Sequence, residues 1–375
     1  MVQDGIVPTD SVLIASRRPH PAPRFTPSAA DVVQAAACYF APALVKEQGM
    51  TRVIQAAREF PAAFTYGFEF RLGEEAAATD FSLAFGRSQQ ESRILSGAHP
   101  NIDLSERLRA QPAWQAARAL LGDWLGARGA PWQGVEYVWL EFDTASSDQA
   151  VQSPSIFFST GHGADRRGLA LALAERLQGG SGATAACLEK VFSSPYAQES
   201  LFQIGTMLAR TGGALRLCLG LCHPLSIVPF LREIGWPGPL PELTALLDQL
   251  VAWGARLSLQ IDVGDAVGPK VGVECYAPSG ERILGQTEAW RPMLDGLVAA
   301  GLCLPQKRDA LLAWVGGHRA RLLWTRRYGR RVSHLKLVYQ VGRPLQAKAY
   351  AYLWEEIQER GGGFFTSLPC ETAAE

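Results

Sequence analysis

The feature that most constrains this chain is a unit that recurs five times without any repeated motif. Two β-rich runs are joined by a turn, and a pair of helical segments then leads to the next such hairpin. The paired runs are residues 65–72 with 80–87, 135–143 with 155–160, 201–210 with 214–221, 256–263 with 270–276, and 333–340 with 346–353. Period-two alternation or β-branched and aromatic enrichment identifies the strands. The connections carry the Gly and Pro residues that tight or bulged turns need, as in Thr211-Gly212-Gly213 and Gly342-Arg343-Pro344. Helical periodicity appears at 29–46 and 51–60 ahead of the first hairpin. It then returns in pairs: 104–110 and 112–127, 167–177 and 183–192, 225–234 and 241–254, 290–300 and 305–315. Pro112 sits where a helix starts, and Gly301 where one ends.

Five hairpins supply ten antiparallel strands whose long connections all run through helices. A sheet of that width curls and closes, which also removes its exposed edges. The expected fold is therefore α+β: a closed ten-stranded antiparallel barrel of five αββα repeats with an outer ring of helices. At 375 residues and 47% hydrophobic content the chain has enough apolar material for it. The expected organisation is a Pro-rich arm over 1–28, one barrel domain over 29–360, and a flexible tail over 361–375 that opens with Gly361-Gly362-Gly363.

Strand alternation says what each face of the barrel holds. Val138, Leu140 and Phe142 share one face of their strand, and Tyr137, Trp139, Glu141 and Asp143 the other. Leucines alternate with Arg216, Cys218 and Gly220. Leu257, Leu259 and Ile261 alternate with Ser258, Gln260 and Asp262. Val271, Val273 and Cys275 alternate with Lys270, Gly272, Glu274 and Tyr276. On the last strand Ala347, Ala349 and Ala351 oppose Lys348, Tyr350 and Tyr352, and on the first Tyr66, Phe68 and Phe70 oppose Glu69 and Arg71. With the apolar rows under helices, the lumen becomes a mixed polar and aromatic chamber, too wide for side chains to fill.

This element order, over nearly all of 29–356, resembles the αββα-barrel (ABBA) aromatic prenyltransferases. The pieces nearest that family are Lys348-Ala349-Tyr350 on the last strand and Lys336 with Tyr339 on its partner. The resemblance implies transfer of an isoprenoid group from its diphosphate to an aromatic or other nucleophilic acceptor: a small aromatic, a tryptophan derivative or a peptide side chain. It implies no protein-bound cofactor, and no DDxxD motif is present; Mg²⁺ would enter only with the diphosphate.

The residue types fit the three requirements of such a reaction. Cations and hydroxyls at Arg216, Lys270, Lys336, Lys348, Tyr276, Tyr350 and Tyr352 can take up charge on a departing diphosphate. Tyr137 and Trp139 can form the wall that stabilises an allylic cation. Glu69, Glu141 or Glu274 can orient the acceptor and accept its proton. A plainer reading accounts for the same residues: carboxylates and cations inside a barrel form buried ion pairs, and Tyr or Trp fill space. The rival function is a non-catalytic or differently catalytic barrel that holds a peptide or small ligand.

Other classes are disfavoured. Lys+Arg and Asp+Glu both count 36, so no general basic field recruits nucleic acid or an anionic membrane. Seven scattered cysteines, with no CxxC pair, suggest reduced thiols and a cytoplasmic setting. No signal-peptide pattern or membrane-spanning apolar run occurs. His162 between two glycines has no supporting Asp/Ser constellation, and Gly179-Gly180-Ser181-Gly182 lacks phosphate-loop spacing. The one strong charge feature is the basic cluster between Arg319 and Arg331. It is expected as a connector before the last hairpin, where it could dock an acidic partner or an anionic substrate group.

Overall fold

A computed structural model describes residues 28–126, 131–144, 153–161, 163–178, 181–208, 213–222, 224–277, 287–315, 320–323 and 326–356. The expected hairpins are all present: β1 (Thr65–Arg71) with β2 (Thr79–Gly86), β3 (Val135–Phe142) with β4 (Ser155–Thr160), β5 (Leu201–Met207) with β6 (Leu215–Cys222), and β7 (Arg256–Val263) with β8 (Val267–Tyr276). The fifth joins β10 (Arg326–Gln340) to β11 (Gln346–Glu356), and a short β9 (Ala320–Leu323) precedes it. From β1 to β8 each strand pairs antiparallel with the next, and β8 then pairs with β10. The ring closes where β11 pairs with β1, from Thr65↔Trp354 to Arg71↔Lys348. Ten strands thus make the barrel, while β9 pairs only with the start of β10.

The helices run in the predicted order. α1 (Ala29–Ala36) and α2 (Glu47–Ala57) come first, then α3 (Gln90–Ser96), α4 (Glu106–Arg109) and α5 (Pro112–Gly126). α6 (Arg166–Gln178), α7 (Gly182–Phe192) and α8 (Pro195–Ser200) follow the second hairpin, and α9 (Pro224–Ile234) with α10 (Leu240–Ala252) the third. α11 (Thr287–Ala299) and α12 (Pro305–Val315) complete the set. Ser28 starts α1 through a reciprocal capping box with Asp31. Gly301 takes φ +70° just beyond α11, a conformation that favours glycine.

Three sequence expectations are corrected. The single helix expected over 29–46 ends at Ala36: a 3-10 turn over Ala37–Tyr39 follows and Phe40 is extended, two residues before Pro42, which has no N–H to resume the helix. α3 and α8 were not foreseen, being too short to show a helical period. The basic segment is not a connector: it forms β9 and the first part of β10, with a ladder running from Arg327↔Glu356. Its arginine-rich run carries no apolar alternation, so pairing with β11, not periodicity, makes it a strand. Residues 1–27 and 357–375, which hold nearly all of the arm and the whole tail, lie outside the described residues, as does His162.

The core lies between the barrel's outer face and the helices. Phe68, Phe70, Leu140, Phe158, Leu217, Ile261, Val273 and Leu337 on the strands are buried with Val33, Trp114, Leu173, Leu188, Leu231, Leu247, Leu297 and Trp314 on the helices. Sizes complement one another across the closing seam, where Phe68 lies opposite Ala351 and Phe70 opposite Ala349. The polar rows therefore face inward.

Candidate active site

Inside the barrel is a chamber of about 600 Å³, within the range of small-molecule sites. All twelve residues proposed from the sequence line it: Glu69, Glu141, Glu274, Arg216, Lys270, Lys336, Lys348, Tyr276, Tyr350, Tyr352, Tyr137 and Trp139. Two residues named beside them do not. Tyr339 points outward, packs on Trp236 and donates to Glu242 on α10 at 2.6 Å. Arg71 turns to Asp80 on the neighbouring strand at 3.4 Å, outside the lining.

The charged half of the chamber is a set of ion pairs. Arg216 grips Asp262 with two parallel hydrogen bonds, at 2.7 and 3.1 Å, and Lys270 reaches the same carboxylate at 3.2 Å. Lys348 donates to Glu69 Oε1 at 2.5 Å, and the Tyr350 hydroxyl donates to Glu69 Oε2. Burial by itself would raise the Glu69 carboxyl. The Lys348 charge and these hydrogen bonds overcome it and hold Glu69 at about 2. Glu274 is likewise kept below its ordinary value: burial opposes, but His334 and Lys336 nearby and the hydrogen bond from Tyr276, 2.7 Å, prevail.

Glu141 behaves oppositely. Burial and the negative charge of Glu69 push it up to about 7, against the weaker pull of Lys336 and Arg216. A carboxyl poised there can give or take a proton at neutral pH. Lys336 is pushed down to about 8, first by burial and then by Arg216, against the pull of Glu274 and Glu69. The chamber thus holds one acid and one amine that both titrate near neutrality.

Its other half is aromatic. Trp139 meets Tyr352 with ring centroids 5.1 Å apart, Phe157 and Ala84 pack with Trp139, and Phe64 and Tyr137 complete the group. Small residues make room for these rings. A Cβ on Gly67 would meet the Ser82 hydroxyl first and then the Tyr352 ring at 3.2 Å, and the Phe157 ring occupies the place of a Cβ on Gly205.

Four of the lining residues that sequence reasoning gave no role matter to the chemistry here. Gln260 and Asp262 stood on the recognised polar row without an assigned role. Phe157 escaped notice because β4 is buried on both faces, Ser155 to Thr160, so it shows no alternation. His334 lies two residues from Lys336 on β10 and shares its inward face; the register shift lies beyond it, between Val332 and His334. It stacks on Tyr350 at 4.3 Å and lies 3.5 Å from Glu274; burial holds its pKa below 6.5. Mid-strand glycines were the available signal for the aromatic group, and parity with Lys336 was the signal for His334.

Among the described residues no cluster of His, Cys, Asp or Glu is arranged to hold a metal ion, and no helix is long and apolar enough to cross a membrane. Of the basic cluster's side chains, Arg330 lies over the Tyr39 ring at 4.3 Å and Arg331 over Trp354 at 5.2 Å.

No known family profile and no curated protein sequence matches the chain. Solved structures do. 5-Dimethylallyltryptophan synthase from Streptomyces coelicolor superposes with a TM-score of 0.52 at 13% identity, over 86% of this chain and 95% of that one. Prenyltransferase PriB, in a binary complex with product diphosphate, gives 0.53 at 13% identity over 86% and 94%. The Streptomyces coelicolor enzyme in complex with DMASPP and Trp gives 0.50 at 11% identity over 86% and 92%. At these identities the likeness establishes the fold, a closed αββα barrel.

Proposed function

We propose that the protein transfers a prenyl group from an isoprenoid diphosphate to an aromatic acceptor inside the barrel. The observation that carries this reading is the polarity gradient along the inner face of β11. Lys348, Tyr350 and Tyr352 follow one another on alternate residues, so the lining passes from cation through hydroxyl to aromatic ring over about 13 Å. A donor with a charged head and an apolar tail matches that order. The solved barrels of this fold, which include a prenyltransferase with product diphosphate and a synthase with DMASPP and Trp, support the same assignment.

Each group then has a role. The allylic C–O bond breaks, and the departing diphosphate takes the electron pair beside Lys336, Lys348, Arg216 and Lys270. Tyr276 and Tyr350 offer hydroxyls there. Trp139 and Tyr352 face the resulting cation and keep water away. The acceptor ring forms the new C–C bond, and its displaced proton passes to Glu141, ionised in about half the molecules at pH 7. Glu69, held ionised, orients a donor hydrogen of the acceptor. Mg²⁺, where used, arrives with the diphosphate as part of the substrate.

One observation favours the rival reading, a barrel that binds a peptide or small ligand without this chemistry. Arg216, Lys270 and Lys348 are each already paired with a carboxylate, which lowers the positive potential offered to a diphosphate. Calorimetric titration with dimethylallyl and geranyl thiolodiphosphates, with and without Mg²⁺, separates the two. Micromolar binding that disappears in Lys336→Gln supports the transferase. No heat in either buffer refutes it and leaves the binding barrel.

A further inference from the structure

One amine in the chamber is set apart from the other cations. Arg216, Lys270 and Lys348 each contact a carboxylate oxygen, whereas Lys336 contacts none among the described residues. Its ladder partner on β8 is Glu274, which should by register be its counter-ion. The Gln260 amide stands between them instead: its Nε2 donates to Glu274 Oε1, and its Oε1 accepts from Lys336 Nζ. The amine therefore faces a neutral carbonyl. Its partner on the other side, across β11, is Lys348, a like charge.

The stem of Lys336 is built into the wall. A Cβ on Gly272 would lie 2.7 Å from its Cε, so glycine there leaves the stem room to lie where it does. The side chain is 7% exposed, yet it lines the chamber, with Nζ 5.8 Å from the centre of the Tyr350 ring.

We propose that Lys336 is a nucleophilic amine that forms an imine with an aromatic aldehyde or ketone admitted to the chamber. This assignment does not depend on prenyl transfer. The nitrogen lone pair attacks the carbonyl carbon, the C=O π pair moves to oxygen, and the proton released by nitrogen ends on that oxygen. The nitrogen lone pair then forms C=N as the carbinolamine hydroxyl leaves as water with a proton from solvent, and the nitrogen returns its remaining proton to solvent. Amine plus carbonyl becomes imine plus water, and nothing is oxidised or reduced. The aromatic half of the chamber, with Tyr350 beside the amine, selects an aryl partner.

The surroundings supply the neutral amine the step requires. Burial and the charges of Arg216 and Lys348 disfavour the ammonium form; Glu274 and Glu69 oppose them from a distance, each engaged by its own donors. His334, on the same strand, is itself held below its ordinary pKa by burial. At about 8, Lys336 is neutral in roughly 10% of molecules at pH 7, about 300-fold more than an ordinary lysine at 10.5.

The test is reductive trapping of the intact protein with benzaldehyde and sodium cyanoborohydride at pH 7, followed by peptide mass mapping over time. Lys336 should acquire the benzyl group at least about tenfold faster than the exposed Lys46 and Lys190. Gln260→Glu gives the amine a carboxylate partner and should slow Lys336 about tenfold while leaving both surface lysines unchanged. Labelling of Lys336 no faster than Lys46 in the wild type overturns the proposal without reference to any variant. So does an unchanged Lys336 rate in folded Gln260→Glu.

Discussion

Replacing Lys348 by Met isolates the electrostatic logic of the chamber. Glu69 has two donors, Lys348 at 2.5 Å and the Tyr350 hydroxyl, in a site that excludes most solvent. A carboxyl held at about 2 instead of its ordinary 4.5 favours its charged form in the folded state by about 3 kcal/mol. Lys348→Met removes most of that and leaves the cost of burying the carboxylate, so the expected destabilisation at pH 7 is about 3–5 kcal/mol. Lys348→Met with Glu69→Gln, which removes the orphaned charge as well, should recover at least half of it. The pH dependence follows from the direction of the shift. In the wild type the Glu69 contribution is whole above 4.5 and is lost as the pH falls toward 2. In Lys348→Met, burial raises the carboxyl instead, so protonation relieves the damage and the gap to wild type narrows as the pH falls below neutrality. Urea unfolding followed by tryptophan fluorescence at pH 7 and pH 5 measures all of this. A single variant within about 1 kcal/mol of wild type, or a double variant no more stable than the single, would refute the reasoning.

Two further outcomes test the faces of the barrel. Leu217 is fully buried between β6 and the helices, so Leu217→Asp should abolish the folded state; a stable variant with native circular dichroism would mean the strand faces are inverted. His334 binds its proton less readily folded than unfolded, so its contribution to stability is present above about 6.5 and is lost as the pH falls below that value. His334→Gln should flatten the acid limb of the stability profile between pH 6.5 and 5. An unchanged slope would show that His334 does not titrate there.

Much of the chamber was legible because a strand has only two faces. Once Leu215, Leu217 and Leu219 are assigned to the helices, Arg216 and Cys218 can face only the lumen, and the same parity places Glu141, Lys336 and Lys348. The same parity turns His334 inward, two residues from Lys336, although it was not picked out from the sequence. Parity gives no signal where both faces are buried, and the doubly buried β4 hid Phe157. Tyr339 shows the rule working against an expectation drawn from resemblance: it lies an odd number of residues from Lys336, and parity turns it out to Glu242.

Local periodicity and turn chemistry in the sequence determined the number of hairpins, their order, and which side chains share a face, because each depends on residues close together in the chain. Which groups within the lumen touch was decided only by ring closure. Glu69 meets Lys348 because β1 pairs with β11 across the whole length of the chain. Gln260 separates Lys336 from Glu274 because it pairs with Gly272, one step along the inner face, and its amide reaches both from there. Neither contact has any signature in residue spacing. Both raise or lower proton affinities by burying charges at distances that the barrel's closure alone sets.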